Sequence, residues 1–369
     1  MKWFGRKAAP AARPLLHRAH GGAVAAGDWP RSYEAQVRDG YVGNPVAQRA
    51  VRLVAESVAW TPVYAAGGAA AGSERALGLV TPALLDQAAA QLLLHGNAFL
   101  QILLDADAAP AELFALRPER VTIEADQGGW PVAYVYRAGE VKARIAARDA
   151  LGRPGLVHIK AMNPLDDHYG LGCLGAAAGA VAIHNSASRW NKALLDNAAR
   201  PSGALTVDGG DGALAAEQYD RLKEELELHF AGTANAGRPL LLEGGLKWQA
   251  MSLTPADMDF AGMKAAAARE IALAFGVPPM LLGLPGDSTY ANYREANRAL
   301  WRLTVLPLAD RLLGGIAAAL SAWWPGLKLA LDVDQVTALA EDRERLWAQV
   351  SSADFLSREE KRAMLGFGE

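Results

Sequence analysis

One cysteine in 369 residues, Cys173, leaves no intrachain disulfide to hold the fold, and a reducing, cytoplasmic setting fits. Seven histidines and that single thiol form no cluster with the spacing of metal ligands, so no structural metal site is expected. Excess charge is also lacking. Lys+Arg number 37 against 40 Asp+Glu, a net charge of −3, which excludes a surface that grips phosphate tightly throughout. Any nucleic-acid contact must be local or loose.

Long apolar runs are missing as well. The longest one noted, Leu171 to Ile183, is cut by His184, Asn185 and Ser186 before the roughly 18 residues that a bilayer span needs. Met1 to Ala25 carries Lys2, Arg6, Lys7, Arg13 and Arg18 with only short apolar stretches, unlike a secretory leader. No membrane partner is expected, and residues 1–39 read as a disordered arm. The chain has no G-x-x-x-x-G-K-[ST], no H-E-x-x-H and no G-x-S-x-G, which argues against a P-loop ATPase, a zinc protease and an α/β-hydrolase. The expectation is a non-enzyme with no catalytic residues, cofactor or metal.

What the chain does have is a succession of well-punctuated helices. Asn44-Pro45 and Thr81-Pro82 are cap and first-turn pairs, followed by apolar stripes at Ala50, Val51, Val54 and Val58 and at Leu84, Leu85, Ala88 and Leu92. Gly96 ends the second, and a Gly/Ala-rich linker separates the two. Ala98 to Lys160 changes to short β-type runs, Phe99 to Leu103, Val121 to Glu124 and Val132 to Tyr136, with Gln127-Gly128-Gly129 as a turn. The fold class is α+β, mainly helical.

An Ala-rich rod is expected over Gly175 to Ala199. A strand–helix–strand unit follows, with strands at Ala204 to Val207, Pro239 to Glu243 and Leu246 to Met251 and a helix from Glu217 to Phe230. Another helix runs from Thr254 to Gly276-Val277-Pro278-Pro279. The longest helical pattern spans Tyr290 to Leu320 and should kink at Pro307. Trp323-Trp324-Pro325-Gly326 ends it, Lys328 to Leu331 reads as a strand, and Asp334 and Ser357 can each cap a C-terminal helix, the latter with Glu360 as a capping box.

Candidate chemistry is sparse. Gly170, Gly172 and Gly175 match the dinucleotide pattern by letter, with Asp196 at the right distance for a ribose contact. The strand that should run directly into them stops near Lys160, so a plain helix entry competes with a Rossmann-type nucleotide-dependent enzyme. Asp166, Asp167 and His168 form a polar cluster that reads as turn chemistry, with an acid/base or metal site as the alternative. Arg294, Arg298 and Arg302 fall at i, i+4 and i+8 on one helical stripe, which needs anions nearby: carboxylates of this or neighbouring chains, or phosphate in a channel. Trp323 and Trp324 read as core or subunit-contact anchors.

The run Arg269-Glu270-Ile271-Ala272 through Phe275-Gly276-Val277-Pro278-Pro279-Met280-Leu281-Leu282-Gly283, then Ser288-Thr289-Tyr290-Ala291-Asn292, resembles the signature of the portal (head-to-tail connector) family of long-tailed bacteriophages and gene transfer agents. Leu306-Pro307-Leu308, Asn44-Pro45-Val46, His95-Gly96-Asn97-Ala98-Phe99, Leu116-Arg117-Pro118, Ala199-Arg200-Pro201-Ser202-Gly203 and Leu356 to Gly366 fit the same family in the same order. The resemblance implies a dodecameric ring with a central DNA channel. It assigns 40–168 to a wing, 169–199 and 254–282 to stem helices, 200–253 to a clip, 283–289 to a tunnel loop, 290–326 to a tunnel helix and wing, and 327–369 to a crown. It further implies a capsid vertex assembled in the bacterial cytoplasm. The partners would be other copies of the chain, the terminase large subunit, a head–tail adaptor, the major capsid protein and double-stranded DNA held non-specifically. Ser288, Thr289, Tyr290, Asn292, Arg294 and Arg298 would border the channel, and Glu217, Arg221, Glu224 and Lys247 would face terminase or adaptor. A monomeric helical scaffold protein is the remaining alternative class.

Overall fold

The computed structural model describes residue 16 and residues 32–196, 203–207, 217, 220, 221, 224, 246–250, 259–284 and 290–365. The chain divides into two compact units, one formed by 1–178 with 271–369 and the other by 179–270.

In the first unit, helix α1 (Tyr33–Gln36) continues as a π-helical turn to Val42, so the expected disordered arm is already helical over 33–39. Helix α2 (Pro45–Trp60) starts where Asn44 Oδ1 accepts from the amides of Val46 and Ala47, each at 3.0 Å, a cap whose loss costs about 1 kcal/mol. Its stripe of Ala47, Ala50, Val51, Val54 and Val58 is fully buried. The expected linker after it is ordered instead: strand β1 (Val63–Ala66) and helix α3 (Ala70–Leu79) fill it. Helix α4 (Pro82–His95) is capped by Thr81 and closed by Gly96, whose φ of 81° only glycine adopts without strain.

The β region holds two three-stranded sheets. Strand β2 (Asn97–Leu104) lies between β3 (Pro110–Leu116) and β7 (Leu156–Lys160), and β5 (Pro131–Ala138) lies between β4 (Val121–Ala125) and β6 (Val141–Ala146). Phe99, Leu116, Val121, Ile123, Tyr134 and Leu156 form the core joining them. All described pairings are antiparallel. No parallel βαβ crossover therefore exists among the described residues to hold a dinucleotide.

Helix α5 (Cys173–Asp196) begins in this unit and runs into the second. There, β8 (Gly203–Val207) pairs antiparallel with β9 (Leu246–Ala250), and Trp190 stacks on Phe260 at the start of helix α6 (Phe260–Ala274), ring centroids 5.7 Å apart. The strand expected at 239–243 lies outside the described residues.

In the C-terminal stretch of the first unit, helix α7 (Tyr290–Leu300) passes into helix α8 (Leu306–Leu320) through a π-helical segment, Trp301–Val305. The amide of Leu306 donates to Trp301 O, five residues back. Pro307 has no amide hydrogen and its ring would crowd the Leu303 carbonyl, and the wider register relieves both, so the interruption comes before the proline rather than at it. The run 291–320 is long and apolar enough to cross a membrane by length and composition. Leu312, Leu313, Ile316 and Leu320 are fully buried, so its apolar face serves as core.

Strand β10 (Lys328–Leu331) pairs with β1, which ties the start of the expected crown into the same body as α2. Asp334 does not cap the next helix. Helix α9 (Ala340–Ser352) has Leu339 at its cap position with no side-chain bond, and Asp334 pairs with Arg343 instead. Helix α10 (Arg358–Met364) has the expected Ser357–Glu360 capping box.

Candidate functional site

Helix α7 enters with residues 291–295 all exposed, and its polar stripe meets the first turn of α9. Arg294 reaches Glu341 at 2.7 Å. Arg298 is the hub: it contacts Glu341 at 2.8 Å, Glu295 at 3.0 Å and Asp342 at 3.6 Å, and its side chain is only 12% exposed. Arg302, 64% exposed, stands 4.0 Å from Asp342. Three guanidiniums therefore meet three carboxylates, which leaves the stripe close to neutral. A cavity of about 280 Å³, lined by Tyr293, Arg294, Asn297, Arg298, Thr337 and Glu341, opens beside it. Helical spacing points to the arginines but not to Glu341 and Asp342. The adjacent acidic pair opening a helix was the available signal.

Other expected site residues are dispersed or undescribed. Ser288 and Thr289 lie outside the described residues, Tyr290 opens α7, and Asn292 is exposed on its first turn. Glu217, Arg221 and Glu224 are helical and exposed in the second unit, and Lys247 lies in β9.

The glycines have a packing explanation. A Cβ on Gly170 would lie 2.0 Å from Gly96 O, and one on Gly172 would lie 2.4 Å from Leu94 O, so both allow the backbone before α5 to press against the end of α4. Asp196 pairs with Lys192 one turn away on α5. The nucleotide-site alternative is thereby overturned. Asp166 Oδ1 accepts from the amides of His168 and Tyr169, and His168 Nε2 bonds to Gly129 O at 2.6 Å, which is turn closure and core packing. Among the described residues, no group of three His, Cys, Asp or Glu could hold a metal.

The His95-Gly96-Asn97 segment is a buried hub. The Asn97 side chain bonds both backbone groups of Gly170 and both His95 and His158. His158 stacks on Phe99 at 4.2 Å, and burial, with the nearby charge of Lys160 adding to it, lowers its pKa to about 3. Burial alone lowers that of His95 to about 4. The hub fixes the approach to α5.

Compared with known proteins, the chain matches the family model described as phage portal protein over residues 45–366. It is 48% identical to a chain in a solved structure of the neck of a native gene transfer agent particle computed with C12 symmetry, covering 92% of this chain and 94% of that one, with a TM-score of 0.69. It is 41% identical over 346 residues to an uncharacterised protein of Rickettsia bellii (strain RML369-C), 89% of this chain and 88% of the other. A probable portal protein of Streptomyces phage phiC31 is 26% identical over 300 residues, 74% of this chain and 62% of that protein.

Proposed function

The chain belongs to the phage portal protein family, and on that premise we propose that it is a structural subunit of a ring at one vertex of a phage-like capsid, the conduit through which double-stranded DNA enters and leaves. The observation that carries the reading is the 48% identity, over nearly the whole of both chains, to a subunit of a gene transfer agent neck of C12 symmetry. In this reading residues 1–31 precede a wing that extends from about residue 32 to 168 and includes β10. Helices α5 and α6 are the stem, 200–253 is the clip, 283–289 is the tunnel loop, α7 is the tunnel helix, and the helices after residue 332 form a small crown.

A channel that passes DNA in both directions must not hold it, because every phosphate contact that contributes affinity has to be broken at each step. The near-neutral pairing of Arg294, Arg298 and Arg302 supports this, since guanidiniums already held by carboxylates attract phosphate weakly. Ser288, Thr289, Tyr290 and Asn292 would approach the duplex without reading its bases. The exposed Glu217, Arg221 and Glu224, with Lys247, would meet first the terminase large subunit and then the head–tail adaptor, while the wing contacts the major capsid protein. Hydrolysis would belong to the terminase.

Light scattering with negative-stain electron microscopy of the purified protein tests the proposal. Twelve copies of a 39.0-kDa chain come to about 470 kDa in a closed ring with heterologous interfaces. A stable monomer would refute the ring and favour a helical scaffold protein.

A further inference from the structure

The charge of the chain is divided unevenly. Lys2, Arg6, Lys7, Arg13 and Arg18 fall within residues 1–27, which contain no Asp or Glu, so this stretch carries +5. The whole chain carries −3, which leaves −8 on residues 28–369. The body of the protein therefore repels a polyanion, and attraction is concentrated in one short segment.

That segment is tied to the folded body at Leu16. Asp126 closes the β4–β5 turn, its Oδ1 accepting from the amides of Gly128 and Trp130 at 2.9 Å each, and the Gly128 carbonyl accepts the amide of Leu16 at 3.0 Å. A Cβ on Gly129 would lie 2.4 Å from Leu16 O, so the second glycine of the turn leaves room for the crossing backbone. Carboxylates stand at this crossing: Asp126 in the turn itself, and Asp166 and Asp167 in the turn that His168 joins to Gly129 O. They can offset Arg13 and Arg18, which flank Leu16 in sequence. Lys2, Arg6 and Lys7 precede Leu16 by nine residues or more. Nine residues of extended chain span up to about 30 Å, against a Debye length of about 10 Å at 0.1 M salt, so these three charges can act beyond the reach of the carboxylates.

Double-stranded DNA presents one charge per about 1.7 Å of its axis and binds Lys and Arg whatever its base sequence. An anionic lipid surface offers charge too, but Pro10 and Pro14 would break the amphipathic helix on which surface binding rests. We propose that residues 2–18 are a DNA-binding arm, fastened to the β4–β5 turn at Leu16, which holds the duplex by its phosphates at a place other than α7 and the tunnel loop. The choice of DNA among polyanions rests on the portal reading. In a ring the arms act together, so a contact too weak to hold DNA singly holds it collectively.

A relaxed closed-circular plasmid is the probe, because a closed ring cannot thread a closed circle and any binding reports on surfaces outside the bore. Co-sedimentation of the full-length protein with the plasmid at about 50 mM salt should show binding that weakens at least tenfold at about 200 mM. The five-site variant Lys2→Gln/Arg6→Gln/Lys7→Gln/Arg13→Gln/Arg18→Gln should lose at least tenfold at the lower salt, with the same particles in negative-stain images. A variant that binds as tightly as the unaltered protein overturns the arm, as does unaltered protein that ignores the plasmid. Equimolar phosphatidylcholine–phosphatidylserine vesicles are the second probe: protein that floats with them through the five charges while ignoring the plasmid overturns the DNA assignment in favour of a lipid surface. Rings that ignore the plasmid sink the arm alone, and monomers that bind it through the five charges sink the portal reading alone.

Discussion

Asn97 Oδ1 accepts the backbone amide of Gly170 at 2.8 Å, and this one bond fixes the protonation of a histidine on the far side of the side chain. Because an amide N–H can only donate, the other end of Asn97 must be its NH2, which faces Gly170 O at 3.2 Å and His95 Nδ1 at 3.1 Å. His95 Nδ1 is therefore an acceptor, and the ring is neutral with its proton on Nε2.

Asn97→Ala should leave the buried Gly170 amide and carbonyl without partners. A loss of about 3 kcal/mol is expected, in the range for buried polar groups stripped of their bonds, and urea denaturation followed by tryptophan fluorescence would measure it. A loss below about 1 kcal/mol would mean that the hub is not what holds this segment.

Acid should weaken the fold through the same hub. His95 and His158 are neutral when folded but gain a proton on unfolding below the ordinary value of 6.5. Stability is therefore whole above about pH 6.5 and is lost as pH falls towards about 4 for His95 and about 3 for His158, with about 3 kcal/mol at stake at His95. His95→Gln keeps an acceptor for Asn97 and removes the titrating ring. Its stability should fall less steeply between pH 6.5 and 4, and an unaltered slope would assign the acid sensitivity elsewhere.

The three glycines before and within α5 should separate cleanly. Gly170→Ala and Gly172→Ala push a methyl into backbone at 2.0 and 2.4 Å and should each cost more than about 2 kcal/mol. Gly175→Ala meets only Gln36 Oε1 at 4.0 Å and lies in a helix, so it should raise the thermal midpoint, by a gain of up to about 1 kcal/mol. Equal tolerance at all three positions would remove the close-packing account.

Replacing Ser288, Thr289 and Tyr290 together with alanine should leave ring assembly intact and reduce DNA packaging or retention. The readouts are electron microscopy of the rings and the DNA content of particles. Normally filled particles would count against the tunnel-loop assignment.

Legibility followed the range of the interactions. Asn44 and Thr81 announced their helices because a cap bonds amides two or three residues away, and Ser357 with Glu360 did the same. Asp334 misled because two short 3-10 turns, Val333–Gln335 and Thr337–Leu339, delay the start of α9 to Ala340, beyond the reach of its side chain as a cap, and it pairs with Arg343 instead. Strand β1 was hidden because four residues carry almost no periodicity and its partner β10 lies near the other end of the chain. The π segment was legible only as a fault at Pro307, since the wider turn is a backbone response with no side-chain pattern. At the site, the arginine stripe could be read from helical spacing, but its partners, 43 residues on in the case of Glu341, depend on how α9 docks.

The first compact unit is built from two stretches of sequence, 1–178 and 271–369, and β1 has its only described partner in β10. On the ribosome, α2 and α4 emerge long before α8, which packs against both, so their shared core stays open while the whole intervening unit is made. An unpaired strand and an uncovered apolar surface are what chaperones bind and what aggregates recruit. The order of synthesis therefore sets a waiting period in which the nascent subunit must be kept from its neighbours on the same polysome, before any of them can close a ring.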